Sequence, residues 1–228
     1  STTAIANAIS QSSESDLKKY LDEDFIFIPY CRPGFTLTME IKKLILPSTN
    51  ILILENHGLI VAGDDIEDTY KLLLKIHKKL DLIRNKKLAF DYLEDTTNID
   101  GYMHKNADKY KLFSTQNEKL FSLFSKSFYP DHVIFLGPGI PTFSEVKEAN
   151  EFIQNLKRKN INLPPYLILK NKGLFENTLA IPAAKEMIDC FLEVLLRIDL
   201  SKSLKFLSNH QESELLNWDI EIYRQSIN

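Results

Sequence analysis

The chain has 228 residues, 44% of them hydrophobic and 26% charged, with 28 Lys+Arg against 31 Asp+Glu for a formal charge of −3. These are globular proportions, so a disordered chain is excluded, and the balance of charge gives no electrostatic drive toward nucleic acid or an anionic membrane. No apolar run approaches the roughly 20 residues that a membrane helix needs.

Ala4, Ile5, Ala8 and Ile9 share one helical stripe, which predicts a helix over residues 1–21. Phe25–Ile28 is a short apolar run before Pro29 and reads as a strand, and Arg32-Pro33-Gly34 as a turn. A short helix is expected over 36–46, with Leu37, Ile41, Leu44 and Ile45 on one face. Ile51–Leu54 is apolar on both faces, the pattern of a central strand. The chain turns at Glu55-Asn56-His57-Gly58, and Leu59–Ala62 forms a second strand. Asp64 with Glu67 reads as an N-cap pair. It opens a helix to about Asn85, with Ile66, Tyr70, Leu73, Leu74 and Leu80 facing the core.

Residues 91–115 carry few regular signals and are expected to be a linker between a first unit, 1–90, and a second, 116–200. Residues 201–228, with Trp218, are expected to be a tail. The second unit repeats the first in outline. Asp131–Phe135 is expected to be a strand leading to Pro138-Gly139, with a helix over about 143–158. Leu167–Leu174 aligns with Leu52–Leu59, placing Lys172 where His57 stands, and a helix starting near Pro182 buries Ile188, Phe191, Leu192, Leu195 and Ile198. This predicts two related α/β units, each a mostly antiparallel sheet covered by helices.

His57 lies in a turn beside a buried sheet, where a loop residue is held firmly enough for metal binding or proton exchange. The remaining histidines, His77, His104, His132 and His210, form no H-x-H or H-E-x-x-H pair, so local spacing builds no zinc site. His77, on an apolar helix face, reads as a packed or capping residue, and His132 and His210 as structural. The run Leu136–Pro141 (LGPGIP) lacks the third glycine of a dinucleotide loop and reads as a turn. Lys75, Lys78, Lys79, Arg84, Lys86 and Lys87 crowd a helix C-terminus, where positive charge complements the helix dipole. Two cysteines, Cys31 and Cys190, make no disulfide framework and read as a reduced, cytoplasmic protein; no signal peptide is evident at the start.

Residues 50–83, NILILENHGLIVAGDDIEDTYKLLLKIHKKLDLI, resemble the signature end of the class II aldolase/adducin family, and 25–41, FIFIPYCRPGFTLTMEI, resemble the stretch just before it. The likeness covers about residues 1–85. A weaker one, at Pro130-Asp131-His132 and at Glu214, Leu215, Trp218 and Glu221, is to long-form rhamnulose-phosphate aldolases, whose dehydrogenase domain these residues do not contain.

The resemblance implies a three-layer aldolase-like sheet covered by helices. It also implies a lyase or epimerase acting on a small sugar phosphate or related hydroxy-carbonyl compound, with zinc or another divalent metal polarising the carbonyl. It makes His57 one metal ligand and implies a ring-shaped homo-oligomer. The family's other two histidines form an H-x-H pair preceded by a glutamate, and STTAIANAIS resembles the segment immediately after that pair. The expectation is therefore an incomplete metal site that binds zinc weakly or not at all in this chain alone. The alternatives are a non-catalytic, adducin-like scaffold or a sugar-ligand binding module.

Overall fold

A computed structural model describes residues 1–10, 13–81 and 97–226. The chain divides into two compact units. The first comprises Ser1–Lys86, Phe128–Pro130 and Glu193–Leu215; the second comprises Lys87–Ser127, Asp131–Leu192 and Leu216–Asn228.

The first unit opens with α1 (Thr2–Ala8) and α2 (Ser13–Tyr20), two helices where one was expected. Then come β1 (Ile26–Ile28), α3 (Phe35–Leu44), β2 (Ile51–Leu54), β3 (Gly58–Val61) and α4 (Ile66–Asp81). Strand β2 is central, parallel to β1 and antiparallel to β3, so the sheet is mixed, not mostly antiparallel. Because alternate strand residues face opposite ways, Ile51 and Ile53 pack with Ala4, Ala8, Leu17, Leu21, Ile76 and Leu80 on one face. Leu52, Leu54 and Ile28 meet Leu37 and Ile41 of α3 on the other. Leu44 and Ile45 are exposed, so only half of the predicted α3 face packs on the sheet, and Leu37 and Ile41 are only partly buried there.

Helix α4 forms as expected as far as Asp81, the expected continuation to Asn85 lying outside the described residues, but it is rotated. Of the residues expected to face inward, Leu80 is sealed in the core beside Ile76, but Ile66 is 90% exposed and Tyr70 and Leu74 are exposed too. Two apolar stripes run along this helix at helical spacing, and the sequence pattern favours the outer one. The cap is Asp65, whose carboxylate accepts from the Asp68 amide at 2.8 Å, in place of Asp64.

The described residues of the second unit begin within the expected linker. Residues 102–104 are strand β4 (Tyr102–His104), followed by a 3₁₀ helix over Asp108–Ser114, and Ile99, Tyr102, Leu112 and Phe113 are buried. The apolar side chains in this stretch are spaced irregularly, which hid a packed segment. Residues 91–96 of the expected linker lie outside the described residues. Next are α5 (Glu118–Leu123) and α6 (Pro130–Leu136). The strand expected at Asp131–Phe135 is therefore a helix. Pro130 takes its first turn, and His132 to Leu136 are all buried, the case in which periodicity does not separate strand from helix.

The chain continues through β5 (Thr142–Phe143), α7 (Val146–Arg158), β6 (Tyr166–Leu169), β7 (Gly173–Asn177) and α8 (Pro182–Leu195). It ends with α9 (Asn209–Leu216) and α10 (Asp219–Ser226). The expected 201–228 tail is thus largely helical and shared by both units. The five apolar residues predicted along α8 and just beyond it are all buried.

Both units contain the same β–α–β–β–α order: β1–α3–β2–β3–α4 and β5–α7–β6–β7–α8. In each the first two strands are parallel and the last two antiparallel. The second sheet adds β4 outside β7. No described helix is long and apolar enough to cross a membrane.

Candidate functional site around the His57 turn

The turn Glu55–His57 joins two strands in register to their ends, with Leu54 opposite Gly58. The His57 amide donates to the Leu54 carbonyl at 3.1 Å, and the Glu55 amide donates to Ile28 at the end of β1 at 2.9 Å. Asn56 closes the turn with φ of 57° and Gly58 follows with φ of 126°. Asparagine tolerates the left-handed region better than most residues. Gly58 is required by its backbone angle, since an added Cβ would meet only ordinary contacts, the nearest 3.5 Å away on Ile5.

Three side chains fix this turn. The Asn56 amide nitrogen donates to the carbonyls of Phe128 at 2.8 Å and Lys205 at 3.2 Å. Glu55, only 7% exposed, accepts from the Tyr30 amide through Oε2 at 3.1 Å and pairs with the Lys205 ammonium through Oε1. The Tyr30 ring stacks on the His57 imidazole, centroids 5.6 Å apart and 25° between planes. Burial, with the nearby Glu214 and Cys31 adding to it, pushes the Tyr30 hydroxyl up to about 12, so it stays protonated at neutral pH. Burial likewise raises the Cys31 thiol, which disfavours the thiolate that a nucleophile or metal ligand would need.

His57 is half-buried. Its Nδ1 lies 3.4 Å from the Glu55 carbonyl and its Nε2 is shielded from solvent. The ring lines neither the 50 Å³ cavity beside Asn7, Asp16 and Lys202 nor the 450 Å³ groove at the start of α4. The other histidines are dispersed. His77 Nδ1 is 3.4 Å from the Ser1 hydroxyl, His104 Nε2 is 2.9 Å from the Lys172 carbonyl, and His132 is sealed edge-on against Phe191 in helix α6. His210 meets Glu214 at 3.5 Å. No group of three His, Cys, Asp or Glu among the described residues is placed to hold a metal. With Glu55 committed to Lys205 and Tyr30, the residues present do not fit a divalent metal by themselves.

Of the basic cluster, Lys75 and Lys79 pair with Glu23 at 2.6 and 2.8 Å, a structural use; Arg84, Lys86 and Lys87 lie outside the described residues. The Leu136–Pro141 run is a turn, with the Ile140 amide donating to Phe124 at 2.9 Å. Sequence reasoning missed Tyr30, Glu55, Asn56 and Lys205. Glu55 and Asn56 adjoin His57 in sequence, but Tyr30 is 25 positions from Glu55 and Lys205 is 150, and neither carries a local signal.

Residues 1–82 match the family described as the class II aldolase and adducin N-terminal domain, so over that span the likeness read from the sequence holds. The chain is also similar to an uncharacterized oxidoreductase, YuxG, of Bacillus subtilis (strain 168), with 30% identity over 81 residues. That alignment covers 32% of this chain and 12% of the relative, so the chain matches only a small part of that protein's length. No solved structure matches.

Proposed function

We propose that this chain is part of a metal-dependent carbon–carbon lyase acting on a small sugar phosphate or related hydroxy-carbonyl compound, with His57 as one ligand of the metal, zinc or another divalent ion. The observation that carries the reading is the His57-Gly58 turn between β2 and β3, within the span that matches the aldolase/adducin domain. The other ligands and the acid/base group must come from outside the described residues, and the chain alone is expected to hold little or no zinc. The second unit is read as a degenerate copy of the first. Lys172 takes the position of His57 there, and a protonated lysine is no metal ligand. Self-association belongs to the same reading, supported by the exposed Phe35, Ile66 and Tyr70. So does a cytoplasmic setting, supported by the two-cysteine composition.

The test uses the longest natural polypeptide that contains this chain. Its bound metal and its aldol cleavage of phosphorylated ketoses are measured for wild type and H57A. Both should fall together in the variant; unchanged metal content in H57A would reject the ligand role. The shielded Nε2 favours a second reading, a non-catalytic scaffold or sugar-ligand module. Under it the longer protein shows neither metal nor turnover, and a sugar ligand raises its melting temperature without metal.

A further inference from the structure

We propose that Lys205 is a positioning residue for His57, acting through Glu55 and Tyr30. The family match ends at residue 82, so this places a support of the His57 side chain far downstream of the matched domain. The role of His57 itself rests on the function proposed above; its placement by Lys205 does not.

The connection is continuous. The Lys205 ammonium pairs with one oxygen of the Glu55 carboxylate, whose other oxygen accepts from the Tyr30 amide at 3.1 Å. The Tyr30 ring lies on the imidazole. The backbone around Lys205 is held in turn, because its amide donates to the Ile9 carbonyl at 2.6 Å and Leu204 bridges antiparallel to Ser10. The Lys205 carbonyl also accepts from Asn56. One short segment thereby grips two of the three turn residues, by side chain at Glu55 and by backbone at Asn56.

The second hairpin shows that the turn itself does not need this grip. Asn171 has φ of 62° and Gly173 φ of 100°. The Lys172 amide donates to Leu169 at 3.0 Å and the Lys170 amide to Phe143 at 2.9 Å, the same pattern as at His57. Yet Asn171 is exposed. Lys170, in the place of Glu55, pairs with Glu118 at 2.5 Å, which reverses the charges. The turn geometry forms without a segment clamping its asparagine, so the contacts from 204–205 are additional. Their effect is to fix where the tip and its imidazole sit. A buried carboxylate also demands a partner, because removing one member of such a pair leaves an uncompensated charge.

The experiment tracks the ring resonances of the five histidines by NMR in the 228-residue chain at one fixed pH, with H57Q assigning the His57 signal. K205M should displace the His57 resonance beyond any change at the other four, and K205R should restore it. K202M breaks the neighbouring Lys202–Asp16 pair; it should lower the melting temperature and leave His57 in place. E55Q should move His57 in the same direction as K205M, and the double variant should add nothing to E55Q, as expected of residues acting in one chain of contacts. If K205M does not fold, K205R and E55Q decide the question. An unmoved His57 in folded K205M or in E55Q would overturn the proposal, and so would equal displacement by K202M. Loss of the metal-ligand role in the H57A test, with His57 still displaced by K205M, would remove the function and leave the positioning intact.

Discussion

Asn56 and Asn171 hold the same left-handed conformation, φ 57° and 62°, at the tips of two hairpins whose backbone hydrogen bonds correspond, yet one is 2% exposed and clamped while the other is open to solvent. The difference isolates what each asparagine contributes. Replacing Asn171 by alanine is expected to cost up to about 1 kcal/mol, because alanine lacks the short polar side chain whose local hydrogen bonding lets asparagine tolerate that region. Asn56→Ala adds the loss of two buried hydrogen bonds and should cost roughly 1–3 kcal/mol more. Glycine separates the terms: N171G should be close to neutral, and N56G should keep most of the N56A loss. Chemical denaturation of the four variants measures this directly.

The rotation of α4 makes a second prediction. Leu80→Ala removes a sealed core side chain and should destabilise by about 2–5 kcal/mol. Ile66→Ala, on the outer stripe, should change the stability of the isolated chain by no more than about 0.5 kcal/mol. Had the whole predicted face been buried, Ile66→Ala would be costly as well.

His132 should make the protein acid-sensitive above the carboxylate range. Burial pushes its imidazole down from 6.5 to about 3. The unfolded chain therefore takes up a proton that the folded one refuses, and stability falls as pH drops from about 6.5 toward 3. H132L should flatten the melting-temperature profile between about pH 6.5 and 5, where few other groups titrate. An unchanged slope there would mean that this side chain is not sealed.

Glu23 contributes at lower pH. Burial alone would raise its carboxyl, but hydrogen bonds from Lys75 and Lys79 outweigh it and bring it from 4.5 down to about 2. Its contribution is present above 4.5 and is lost as pH falls through about 2, because protonation breaks both pairs. E23Q should melt below wild type at neutral pH and converge with it near the acid end of that window, as read by circular dichroism across the range.

The elements of the first unit were legible where one period dominated: the apolar run of β2, the His-Gly turn and the start of α4. The inward face of α4 was not, because Ile66, Tyr70 and Leu74 repeat at the same spacing as the buried set. Asp131–Phe135 misled for a related reason. A segment buried on all sides carries no alternation, and β-branched Val133 and Ile134 tilt the reading toward strand. The turn that carries His57 was legible because it is local. Its supports Tyr30 and Glu55 gain meaning only from the approach of Lys205, which no window of neighbouring residues contains.

The split assembly of the first unit bears on how the protein is made. Emerging from the ribosome, the chain can pair β1, β2 and β3 early, but the segment that grips their turn leaves the tunnel only after more than a hundred further residues. The nascent hairpin therefore waits, with a buried carboxylate lacking its lysine, while the intervening sheet is synthesised. Chain elongation at roughly 5–20 residues per second makes that delay about 7–30 seconds long, a window in which a chaperone or an early-folding second unit would decide the yield.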